Sequence, residues 1–181
     1  IDIDPLSCLI SKVKSTPLDV KQFSLIGDWL LINKESAKPE FKPTVDNLNH
    51  WFSDDAIEKL SKLRTLIDQI PVKFGFLENV QDFYDAFIIV LSSIIRRVSN
   101  ADNQSQKTYV SGTKPKKPAE VYSLFTKQIA LYIKGYTDFK NTQKNVAIST
   151  IYHSNGNPDF SMLLPEMVDL IVTSPPYIKS I

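Results

Sequence analysis

The stretch Val168-Asp169-Leu170-Ile171-Val172-Thr173-Ser174-Pro175-Pro176-Tyr177 decides how the rest of the chain reads. Its first six residues are nearly all apolar or β-branched, the pattern of a parallel strand covered on both faces. The strand runs directly into two prolines. Each fixes φ and removes a backbone donor, so the turn that follows is rigid. Ligand sites of open α/β sheets lie at the carboxyl ends of strands. The Ser174 hydroxyl, the Pro175 carbonyl and the Tyr177 ring are therefore presented together. That set suits a flat ring bearing an amino group, because the two oxygens accept from the NH2 while the tyrosine stacks on the ring. The plainer reading is a proline-terminated strand with Tyr177 as a packing residue.

Working upstream, Val146–Tyr152 (VAISTIY) is β-branched and reads as a second strand, and Asp159–Leu164 as a short helix. At the other end, Ile1-Asp2-Ile3-Asp4-Pro5 looks like a strand entering a helix, with Asp4 as N-cap and Pro5 as first helical residue. Leu6, Leu9, Ile10 and Val13 then fall at helical spacing to about Lys14. Between the ends, helices are expected from Pro17 or Asp19 to Asn33, from an N-cap at Ser53 to a stop at Pro71, from Glu78 to Val98, and from Ala119 to Tyr136. Phe83, Phe87, Leu91, Ile94 and Ile95 mark the third of these as central and buried. Lys34–Asn49 and Ser99–Pro118 read as loops. The expected fold class is α/β at both ends and mostly α in this chain, with a large helical insertion and the two ends as neighbours in space.

Bulk properties narrow the function. The chain has 181 residues, 21 Lys and Arg against 20 Asp and Glu, and a net charge of +1. Its one cysteine, Cys8, excludes an internal disulfide and favours a reducing, cytoplasmic setting. The N-terminus lacks a basic n-region, and the longest apolar run, Ala86–Ile95, is half of what a membrane span needs. Five scattered glycines, against a usual share of about 7%, leave no glycine-rich phosphate loop in this chain. Charge is uneven: Arg96, Arg97, Lys107, Lys114, Lys116 and Lys117 stand against Asp102 within 96–117. That segment is either a solvated loop or an arm that contacts phosphates. No metal-ligating pattern is present, and both histidines, His50 and His153, read as structural.

VDLIVTSPPY resembles the catalytic motif of the amino-group DNA methyltransferases, which methylate the exocyclic amine of adenine (N6) or cytosine (N4). The opening IDIDPLSCLISKVKSTPLD resembles the segment of the same enzymes just after their glycine-rich cofactor loop. The central residues, from Trp51-Phe52 through RRVSN, resemble the helical insert of one subgroup.

The resemblance implies a partial Rossmann-like methyltransferase fold: core at 1–19 (end of the second strand and its helix), a helical insertion at 20–144 as a DNA-recognition region, and core again at 145–181 (third and fourth strands with TSPPY). It implies S-adenosylmethionine as cofactor, with Asp2 on the ribose hydroxyls, Ile3 against the adenine face, and Asn155 at the adenine amine. Surface acid for Asp2 and turn residue for Asn155 are the competing readings. It implies direct methyl transfer to a base flipped out of double-stranded DNA, with Ser174, Pro175, Pro176 and Tyr177 holding the base. Serine at the first motif position is commonest among cytosine enzymes, which leaves adenine open. The partners implied are DNA, the remainder of the methyltransferase domain, and a restriction or defence system, with no membrane. The rivals are a catalytically silent helical DNA-binding or assembly module that keeps methyltransferase flanks, and a helical interaction domain with a chance SPPY.

Overall fold

The computed structural model describes residues 2–102, 108–142, 149–153 and 170. Seven helices account for most of them: α1 Pro5–Ser15, α2 Val20–Asn33, α3 Leu48–Trp51, α4 Asp54–Asp68, α5 Ile70–Lys73, α6 Val80–Val98 and α7 Val121–Thr142. Local chemistry sets the starts of α1, α2 and α4. Asp4 accepts from the Leu6 and Ser7 amides, Asp19 from Gln22, and Ser53 from Ala56. The Ser7 hydroxyl and amide hold the Asp4 carboxyl below its ordinary range.

Helix α6 is the central element, packed against α1, α4, α5 and α7. Phe83, Ala86, Phe87, Val90, Ile94 and Val98 are buried along it. The Phe87 ring stacks on Phe23 of α2 at 4.4 Å with the planes 6° apart. Phe23 in turn meets the edge of Tyr136 on α7 at 5.6 Å. Gly27 of α2, an unexpected residue inside a helix, has a packing reason. A Cβ there would stand 3.2 Å from Ile129 Cγ2, so the glycine lets α7 approach α2 closely.

Helix α1 joins the same core through Val13. The Tyr136 hydroxyl donates to the Val13 carbonyl at 3.4 Å. Lys12 reaches from α1 to Asp82 at 2.9 Å and Asp85 at 2.7 Å on α6. Gln81 donates to the other Asp85 oxygen at 2.8 Å, so this largely buried carboxylate is fully partnered.

Several expectations need correction. The loop 34–49 ends in a helical turn, α3, which the two prolines before it hide in the sequence. Its N-cap Asn47 adopts a left-handed φ of 56°. Helix α4 ends at Asp68, before Pro71 as expected, but helical structure resumes at once, with Pro71 in the first turn of α5, where a missing amide costs nothing. Helix α7 passes Gly135 and continues to Thr142, since a single glycine costs only about 1 kcal/mol. Ile95 is 36% exposed, not core. It lines an apolar groove of about 400 Å³ between α4 and α6, roofed by Phe41, Pro43 and Val45. That roof is pinned at one end, where Thr65 accepts from the Glu40 and Phe41 amides at 3.2 and 3.3 Å and Ser61 donates to the Phe41 carbonyl.

The β component is small. Among the described residues it is one parallel bridge, Asp2 to His153, with the Asp2 amide donating to the Tyr152 carbonyl at 3.1 Å. The described part of the expected strand Val146–Tyr152 therefore carries no strand of its own. Asp159–Leu164 lies outside the described residues, as does 168–173 except for Leu170. Leu170 is 78% exposed, against the expectation of a strand covered on both faces.

Candidate nucleic-acid interface and cofactor end

The parallel bridge brings the two ends of the chain together. Asp2 and His153 lie side by side, and the His153 Nε2 is 3.0 Å from the Ile3 carbonyl. The buried Cys8 thiol sits beneath them, 3.5 Å from the Asp2 carbonyl and 3.6 Å from that of Tyr152. Asp2 is exposed and accepts the Asp4 amide through Oδ1 at 2.9 Å. Ile3 is 64% exposed beside it. An exposed acid and an exposed apolar side chain thus stand where two parallel segments meet. Asn155 and Ser174, Pro175, Pro176 and Tyr177 lie outside the described residues.

The basic candidates gather at the C-terminal end of α6. Arg96 and Arg97 occupy its exposed last turn, where cations complement the helix dipole. The 108–118 segment folds back on this turn. The Asp102 amide donates to the Tyr109 carbonyl at 2.9 Å, and the Ala119 amide to that of Arg97 at 3.1 Å. Lys116 acts as a clamp, with its ammonium on the Arg96 carbonyl at 2.6 Å and the Ala101 carbonyl at 3.0 Å. Burial, and then the Arg96 guanidinium, push the Lys116 ammonium below its usual value. Arg96 itself donates to the Asp102 carbonyl at 3.1 Å. Lys114 and Lys117 stand exposed on the clamped segment. Lys107 lies outside the described residues.

Sequence reasoning missed Asn100. Its amide donates to the Trp51 carbonyl at 2.7 Å and its side chain to the His50 carbonyl at 3.2 Å. The polar pair Ser99-Asn100 signals a helix end, but nothing local to it names residues fifty positions away. Through this tie the C-terminal end of α3 is fixed beside the basic end of α6.

Among the described residues, no cluster of three or more His, Cys, Asp or Glu side chains is placed to hold a metal, and no helix is long and apolar enough to cross a membrane.

The chain is 29% identical to the type II methyltransferase M.MvaI of Kocuria varians over 197 aligned residues, which cover 97% of this chain. The family likeness is to the DNA methyltransferases. The chain spans 40% of the length of that relative. The alignment runs through the helical segment as well as both ends, so the likeness is not confined to the end motifs. No family model matches the sequence. No solved structure matches it either.

Proposed function

We propose that this chain is part of a DNA methyltransferase that moves a methyl group from S-adenosylmethionine to the exocyclic amine of a flipped cytosine (N4) or adenine (N6). The observation that carries this reading is the methyltransferase likeness over nearly the whole chain, together with TSPPY after an apolar run. The bridge supports it. In doubly wound sheets the second and third strands are neighbours, and the ligand crevice lies outside their carboxyl ends. A parallel pairing of the opening segment with the one after the insertion fits that order. In this reading the fold is a partial Rossmann-like sheet, with core at 1–19 and 145–181 and the helical insertion at 20–144.

The residues present fit the cofactor. Asp2 keeps lone pairs beyond the one given to the Asp4 amide, and so accepts from the two ribose hydroxyls. Ile3 offers an apolar face to the adenine, and Asn155 follows on the other segment. Bound S-adenosylmethionine supplies an electrophilic methyl. Ser174 and the Pro175 carbonyl hold the target amine in line with it, Pro176 keeps the turn rigid, and Tyr177 stacks on the base. Orientation and proximity supply most of the rate. Arg96, Arg97, Lys107, Lys114 and Lys117 face phosphates, while Lys116 shapes the arm that carries two of them. The setting is the cytoplasm, with a restriction or defence system as partner.

Asp2 provides the test. In the full-length protein, Asp2→Ala is expected to weaken S-adenosylmethionine binding about tenfold, the loss of a hydrogen-bonded charged group. DNA affinity and thermal midpoint should stay near those of the wild type. Calorimetry measures the first. Unchanged cofactor affinity would remove Asp2 from the site.

A further inference from the structure

We propose that His50 contacts base edges in a groove of double-stranded DNA whose phosphates are held by Arg97, Lys114 and Lys117, making it a specificity-determining residue. This rests on the DNA methyltransferase reading and adds to it a division of labour within the insertion.

Three observations carry the assignment. The first is placement. Both carbonyls of the His50-Trp51 pair are hydrogen-bonded by Asn100, three residues beyond Arg97. The C-terminal end of α3 and the cationic end of α6 are thus one surface.

The second is the difference in how the side chains are held. Arg97, Lys114 and Lys117 are exposed and make no side-chain hydrogen bond or ion pair among the described residues. Long mobile cations suit phosphates, which position the protein but carry no sequence information. His50 is short and exposed, and its ring stands edge-on to Trp51 at 4.9 Å and 83°. A short polar ring bearing two nitrogens suits the donor and acceptor pattern of base edges. No hydrogen bond within the described residues uses the imidazole.

The third is electrostatic. The open depression beside His50 is lined by Asp54 and Glu58, whose carboxylates would repel a phosphate chain. Both are occupied. Asn49 donates its side-chain amide to Asp54, and Lys62 pairs with Glu58 at 2.7 Å. Asp102, the acid within the basic segment, accepts from the Tyr109 hydroxyl at 3.3 Å. Glu58 is thus charge-paired, while Asp54 and Asp102 stay anionic and hydrogen-bonded to neutral donors, so phosphate contact falls to Arg97, Lys114 and Lys117 on the α6 side of the surface.

The experiment selects bound sequences from a duplex pool with a randomised centre, using the full-length protein, and measures affinity for the unselected pool against salt. The wild type should enrich a motif. His50→Ala should leave pool affinity and salt slope unchanged while discrimination at one or two adjacent base pairs falls about tenfold. The double variant Lys114→Gln/Lys117→Gln should do the opposite, keeping the motif but lowering pool affinity roughly tenfold and the salt slope by about 2. If the double variant binds like the wild type, the DNA face itself is misassigned. If the double variant behaves as expected but His50→Ala retains the wild-type motif, or no motif is enriched at all, the role of His50 is overturned alone.

Discussion

Phe87→Ala is expected to cost about 3–5 kcal/mol of stability, the usual range for emptying a fully buried aromatic site. Phe87 has no exposed surface and lies at the middle of the central helix. Its ring is stacked on Phe23, and Phe23 reaches Tyr132 and Tyr136 of α7. The Tyr136 hydroxyl holds the Val13 carbonyl of α1, and burial pushes that phenol well above its ordinary value. One truncation therefore loosens α2, α6, α7 and α1 together. Urea unfolding should show a lower midpoint with an unchanged slope. Val72→Ala, at a site 89% exposed, should change stability by under about 0.5 kcal/mol. A loss below about 1 kcal/mol at Phe87 would contradict the central placement of α6.

If the full-length protein is the methyltransferase proposed, Ser174→Ala in it should lower the methyl-transfer rate at least about a hundredfold, the scale of removing one group aimed at the reacting centre. Ser174 lies outside the described residues, and the expectation follows from the motif and its proposed chemistry. The serine hydroxyl accepts from the target amine and keeps its lone pair directed at the sulfonium methyl. It does not touch the cofactor in this reading, so S-adenosylmethionine affinity should stay within about threefold. The contrast between turnover and cofactor affinity is the informative part. A parallel loss of both would point to a folding role for the proline turn, and wild-type turnover would refute the motif assignment.

The helical part of this fold was readable because its signals are local. Asp4-Pro5, Asp19 and Ser53 each announce a helix start within four residues, and the apolar spacing of α6 marks the most buried element. Boundaries failed where the deciding partner is remote. Helix α3 exists beside a strap held by Thr65 and Ser61, and Ile95 faces the groove beneath that strap. Lys116 looked like one more surface cation, yet the carbonyls that hold it belong to a helix end folded back over fifteen to twenty residues. Asn100 signalled a helix end but not its partners, since His50 and Trp51 lie about fifty residues away. That the two ends are neighbours followed from their α/β character; the pairing of Asp2 with His153 came only from the bridge. The motif residues 173–177 rest on sequence and likeness.

The central claim is that the full-length protein methylates an exocyclic amine of DNA. It is tested most directly by incubating that protein with S-adenosylmethionine and duplex DNA, digesting the DNA to nucleosides, and identifying the methylated product by mass spectrometry. The account predicts N4-methylcytidine or N6-methyladenosine in deoxy form, lost in Ser174→Ala. A methyl group on cytosine C5, or no methylated nucleoside from protein that binds both DNA and cofactor, would contradict it.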